Sequence, residues 1–135
     1  MSPSRLYVQE KAYDRFVGRF MEATKRIKVG NGLEQDTKMG PLANGRRPDA
    51  IDALVEDARK KGAKVLAGGA RGNQGFFYQP TVLADVPLEA DVMSNEPFGP
   101  LALIRPFETF DEAIEQANRL PYGLAAFAFT ENGRQ

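Results

Sequence analysis

No cysteine and no histidine occur among the 135 residues. Without cysteine there is no disulfide framework, no thiolate nucleophile and no Cys-ligated metal. Without histidine the commonest general base and metal ligand is missing as well. A surplus of one charge is also lacking: eighteen basic and eighteen acidic side chains cancel, with no long run of either sign. Nucleic-acid binders usually carry a net basic face, so that class of partner is excluded. No apolar run approaches the length of a membrane span, and the first residues contain no signal-peptide apolar region. A cytoplasmic protein without a membrane partner is expected, poor in side chains that do covalent or acid–base chemistry.

What is present is ordinary globular material. Hydrophobic residues make up 42% and charged residues 27%, enough to build a core in a single domain over residues 1–135. Leu6-Tyr7-Val8 reads as a short strand. Tyr13, Phe16, Val17, Phe20 and Ile27 recur at helical spacing among charged residues, which predicts an amphipathic helix ending by Gly30-Asn31-Gly32. That glycine pair follows a helix and has Gln35 where a dinucleotide fingerprint needs its third glycine, so it is a turn.

A second helix is predicted over 48–61, with Ile51, Leu54, Val55 and Ala58 on its buried face. Glu56/Lys60 and Asp57/Lys61 are i,i+4 pairs, and Gly62 is the stop. Arg46-Arg47 and Arg59-Lys60-Lys61 read as solvated helix faces. Lys64-Val65-Leu66-Ala67 reads as a strand and, with the helix before it, as half of a βαβ unit. Phe76-Phe77-Tyr78 and Thr81-Val82-Leu83 flank Pro80, so at least one of them is expected on a sheet edge or in a connector. Leu101-Ala102-Leu103-Ile104 is a buried strand. Thr109 and Glu112 form a capping box opening a third helix with Ala113, Ile114 and Ala117 inward. Leu124 to Phe129 is the last strand candidate, stopped by Thr130-Glu131-Asn132-Gly133. The order of elements predicts an α/β fold with a largely parallel sheet and helices on its faces. Asp85, Glu89 and Asp91 match no metal-binding loop pattern, and no metal site is predicted.

The most distinctive stretch is Asn95-Glu96-Pro97-Phe98-Gly99-Pro100. Pro97 and Pro100 fix φ near −65° and push their predecessors towards extended backbone. Glu96 and Phe98 therefore sit on a stiff connector entering the 101–104 strand, and connectors at strand ends are where α/β sheets usually hold ligands. Taken alone, a loop carboxylate more often stiffens a turn in water, and a phenylalanine more often fills a core.

The motif does not stand alone. Glu-x-Phe-Gly-Pro resembles the signature of the aldehyde dehydrogenase superfamily. Further likenesses follow in family order: Ser4-Arg5-Leu6-Tyr7-Val8; Gly40-Pro41-Leu42; Gly62-Ala63-Lys64-Val65-Leu66-Ala67-Gly68-Gly69; Tyr78-Gln79-Pro80-Thr81-Val82-Leu83; and Asn118 with Tyr122-Gly123-Leu124-Ala125-Ala126 and Phe129-Thr130. They cover essentially the whole chain.

The resemblance implies NAD(P)-dependent oxidation of an aldehyde to a carboxylic acid. In the family a thiolate attacks the aldehyde, hydride passes to the nicotinamide, and water activated by a glutamate releases the acid. Carried over at matching positions, Glu96 would accept hydrogen bonds from the nicotinamide-ribose hydroxyls and Phe98 would pack beside the nicotinamide. Arg47 aligns where family members often place a cofactor-contacting Gln, and no such role is carried over to it.

The resemblance also marks departures. The family's nucleophilic Cys would fall one position before Met1, so no catalytic residue is expected within the chain. The Rossmann-type cofactor domain, the general-base glutamate, the oxyanion-hole asparagine and the C-terminal Pro-Phe-Gly-Gly segment find no counterpart. The expectations are a partial catalytic domain without turnover of its own and weak or no binding of free NAD or NADP. A self-associating interaction module is the alternative, because 101–104 and 124–129 read as strands covered on both faces in a parallel sheet.

Overall fold

The computed structural model describes residues 3–131 and Gly133; Asn132 of the predicted final turn lies outside the described residues. β4 (Leu101–Phe107) is central, running parallel to β1 (Arg5–Gln9) on one side and to β3 (Thr81–Ala84) on the other. β2 (Lys64–Ala67) completes the sheet, antiparallel to β3, in the order β1-β4-β3-β2. The sheet is thus largely parallel, with one antiparallel edge. Because β2 is antiparallel to its neighbour, the helix before it is not part of a right-handed βαβ crossover, contrary to the sequence reading.

Strand alternation sends successive side chains to opposite faces. Val8, Val82 and Ile104 point to one face, where α1 (Glu10–Lys25) lays Ala12, Tyr13, Phe16, Val17, Phe20 and Met21 across them. Leu83, Leu101 and Leu103 point to the other, against Ile51, Val55 and Ala58 of α2 (Arg46–Lys60) and Val92 and Met93 of α3 (Asp91–Ser94). The result is helix, sheet and helix in three layers.

α2 ends where its sequence says it should. Gly62 takes φ 106°, the Ala63 N–H reaches the Ala58 carbonyl at 2.9 Å, and the Gly62 N–H reaches that of Arg59 at 3.1 Å. This is a Schellman closure, which needs a left-handed residue at that point. The pairs Glu56–Lys60 and Asp57–Lys61 form at 3.7 and 2.7 Å. In α4 (Phe110–Ala117) the Thr109 hydroxyl accepts the Glu112 N–H at 3.2 Å, while the Glu112 carboxylate accepts the Glu108 N–H at 2.9 Å.

Two expectations fail near the end of the chain. Residues 124–129 form no strand; Leu124, Phe127 and Phe129 are 84%, 58% and 95% exposed. An apolar run becomes a strand only where a neighbour supplies a ladder, and none does here among the described residues. In α4, Ile114 and Ala117 are exposed rather than inward, and Gln116 is the buried residue. No helix among the described residues is long and apolar enough to cross a membrane.

Candidate functional site

The stretch joining α3 to β4 is held mainly by side chains that reach it from elsewhere. Asn95 leaves α3 in extended backbone, φ −101° and ψ 152°, and Pro97 and Pro100 have no N–H to enter a ladder. The carbonyls along it find guanidinium and phenol donors instead. Arg5, the first residue of β1, donates from Nε to the Met93 carbonyl at 2.9 Å and from Nη2 to the Asn95 carbonyl at 3.2 Å. Arg119 adds a bond to the Met93 carbonyl at 3.1 Å, and the Tyr122 hydroxyl donates to the Ser94 carbonyl. From the other side Arg47 Nη2 donates to the Pro97 carbonyl at 2.5 Å. Bonds from a charged donor are each worth about 1.5–3 kcal/mol.

Between these anchors stand the two residues singled out from the sequence. Glu96 is exposed and makes no hydrogen bond or ion pair among the described residues. Phe98 is 70% exposed, and its backbone is left-handed at φ 41°. For a bulky residue such a conformation costs about 1–3 kcal/mol and persists only where the surroundings impose it. The Arg47 guanidinium carbon lies 5.7 Å from the centre of the Phe98 ring, a cation–π contact of about 0.5–1 kcal/mol at an exposed site. Together with the bond to Pro97 it is large enough to offset the backbone cost.

The reading of Arg47 as part of a solvated face is therefore corrected: Arg46 is exposed, whereas Arg47 is half-buried against the connector. The cause is helical geometry. Ile51, fully buried, seats α2 against Gly99, and Arg47 stands one turn earlier on the same face.

Arg5, Arg119 and Tyr122 are the supporting residues that sequence reasoning passed over. Arg5 and Tyr122 lie inside motifs that carried the family resemblance, so a signal existed for them; for Arg119 there was none. Burial raises the Tyr7 hydroxyl above its usual range, against the opposing pull of Arg5, Arg119 and Arg105 nearby.

The acidic residues 85, 89 and 91 do not converge. Asp85 pairs with Lys64 at 2.7 Å and accepts the Tyr13 hydroxyl at 2.6 Å, while Asp91 pairs with Lys61 at 3.0 Å. Among the described residues no group of three or more candidate ligands could hold a metal ion.

Chemically, Glu96 offers free carboxylate oxygens beside an exposed flat apolar ring, both on a braced segment. A carboxylate can accept from two neighbouring hydroxyls, and the ring can lie against an aromatic heterocycle. An acceptor beside an apolar ring is chemistry that fits the nicotinamide-ribose end of a dinucleotide. The profile of the aldehyde dehydrogenase family matches residues 1–135. The chain belongs to that family.

A putative 4-(hydroxymethyl)benzenesulfonate dehydrogenase of Comamonas testosteroni is 45% identical over 134 residues, covering 99% of this chain and 28% of the relative. Cytosolic aldehyde dehydrogenase 1 of Rattus norvegicus is 43% identical over 133 residues, covering 98% and 26%. Among solved structures, aldehyde dehydrogenase from Brucella melitensis superposes with a TM-score of 0.93 at 40% identity, over 96% of this chain and 27% of that one. An NAD+ complex of aldehyde dehydrogenase from Bacillus cereus gives 0.90 at 38% identity, over 96% and 26%. The α/β fold is thus that of part of an aldehyde dehydrogenase, and the chain spans about a quarter of the length of these relatives.

Proposed function

We propose that this chain contributes the nicotinamide-ribose clamp of an NAD(P)-dependent aldehyde dehydrogenase, an oxidoreductase that converts an aldehyde to a carboxylic acid. Glu96 accepts hydrogen bonds from the ribose hydroxyls, and Phe98 packs beside the nicotinamide and limits its tilt. When bound, the nicotinamide supplies the hydride acceptor. The observation that carries the reading is the pairing of a carboxylate with no partner among the described residues and an exposed aromatic ring, on a segment braced from both sides.

In this reading the 135 residues are one domain, a part of the catalytic domain. They contain no cysteine to act as nucleophile, so the isolated chain is expected to have no turnover. The domain that grips the adenine and pyrophosphate in the family is not among them, so free NAD or NADP binds weakly. The pure chain, mixed with NAD+ and an aldehyde, should give no absorbance from reduced nicotinamide. Appearance of that band would overturn the claim of inactivity. Titration with nicotinamide mononucleotide should shift the Glu96 and Phe98 amide resonances, and Glu96→Gln should abolish most of that shift. Shifts centred elsewhere would refute the clamp.

A second reading, a self-associating module, is favoured by the exposure of Leu124, Phe127 and Phe129 and by the outer edge of β1, which has no partner strand among the described residues. Exposed apolar groups and free strand edges both promote association. Light scattering showing a monomer at high concentration would count against it.

A further inference from the structure

Phe98 combines a left-handed backbone, φ 41°, with a ring that is 70% exposed. Little of the ring's own burial is available to hold it there, so the constraint has to come from neighbours. Helix α2 supplies it at three consecutive points. Arg47 Nη2 donates to the Pro97 carbonyl at 2.5 Å, on the peptide that leads into Phe98. The same guanidinium lies 5.7 Å from the ring centre. One turn later, Ile51 fills the space over Gly99.

We infer that Arg47 is a positioning residue for the cofactor clamp: it fixes the Phe98 ring and, through the Pro97 peptide, the direction of Glu96 before any ligand arrives. The inference rests on the reading of Glu96 and Phe98 as that clamp. Arginine is suited to the task by its shape. A guanidinium can donate within its plane while turning a charged face to a ring, whereas an ammonium is a point charge and a neutral side chain has no cation–π attraction.

The test is solution NMR on the 135-residue chain with Arg47→Met, Arg47→Lys and, as control, Arg46→Gln. In the wild type, Phe98 should show the one-bond Cα–Hα coupling of a left-handed residue. Arg47→Met should move that coupling to an averaged value. It should also speed exchange of the Leu101 N–H, which bonds the Gly99 carbonyl at 2.8 Å, by about tenfold, as expected for local opening when one charge-assisted bond is lost. Arg47→Lys should fall between, and the control should match wild type. A folded Arg47→Met variant with unchanged coupling and exchange would overturn the inference. If that variant does not fold, Arg47→Lys decides, and an unchanged Phe98 would overturn it equally.

Titration with nicotinamide mononucleotide separates this inference from the reading beneath it. Smaller shifts at Glu96 and Phe98 in Arg47→Met than in wild type support positioning; equal shifts overturn it. No shift in wild type removes the clamp reading and the cofactor part of the inference, while the ligand-free coupling still decides whether Arg47 fixes the ring.

Discussion

Ile51 lies over Gly99 so closely that a methyl group added at 99 would collide with its Cδ1. Gly99 has no positive φ, so the requirement for glycine is one of space alone. Gly99→Ala should therefore destabilise the fold by about 1–3 kcal/mol, the usual cost of overpacking. Ile51→Val removes the colliding atom at a cost of about 0.5–1.5 kcal/mol. The two substitutions together should cost clearly less than their sum. Urea midpoints of the two single variants and the double variant would measure this, and strict additivity would disprove the contact.

Alkaline stability should depend on two tyrosines. Burial, with the hydrogen bond to Asp85, pushes Tyr13 up to about 12. Burial, with the bond to Asp52, raises Tyr78 further. Both hydroxyls donate to carboxylates, at 2.6 and 2.8 Å. A raised pKa means that the folded chain holds its proton longer than the unfolded one. The contribution is complete below about pH 10 and is lost as pH climbs through the folded values. Tyr13→Phe and Tyr78→Phe should each flatten the fall in stability above about pH 10, followed by chemical denaturation at stepped pH.

At the acid end Asp85 is one of the groups that matter. Its carboxyl is held below the usual carboxylate range first by Lys64 and then by the Tyr13 hydroxyl. A lowered pKa gives stability that is present above the unfolded value and lost as pH falls through the folded one. Lys64 is exposed, so the effect should stay below about 1 kcal/mol and weaken with salt. Asp85 also sits at φ 53°, a conformation that asparagine tolerates. Asp85→Asn should thus leave the backbone intact and reduce the acid dependence, as titrated by denaturation between neutral and acid pH.

If the apolar residues near the end of the chain drive association, polar substitutions there should act without touching the core. Leu124→Ser with Phe129→Ser should lower the apparent mass at high concentration and leave the thermal midpoint within about 2–4 °C, since exposed positions contribute little to stability. Sedimentation velocity on the two proteins checks both parts.

The elements that were legible in the sequence are those whose signals are local. The periodicity of α1, the glycine stop of α2, the Thr109 cap and the Leu101–Ile104 run each depend on neighbours within a turn or two. The stretch 96–100 was legible as a motif, because Pro97 and Pro100 restrict the residues before them. What could not be read depends on distant partners. Residues 124–129 have the composition of a strand but no ladder to join. Arg47 looked like its exposed neighbour Arg46, because nothing in a linear pattern shows that α2 would dock on a connector fifty positions later. Arg119 likewise reveals its task only once the Met93 carbonyl stands before it.

The pairing of β1 with β4 has a consequence for how the chain assembles. Arg5 aligns with Leu103, so β1 precedes β4 in the chain yet can dock only once β4 has been made. β3 and β4 meet across a short stretch, and β2 joins β3 across another. These pairings close small loops, whereas docking of β1 on β4 closes the long segment between them, and long closures are slow. During synthesis β1 and the apolar stripe of α1 must wait, uncovered, until β4 has emerged. They should also be the first to detach when the fold loosens, taking Arg5 from the carbonyls it braces before the rest of the sheet gives way.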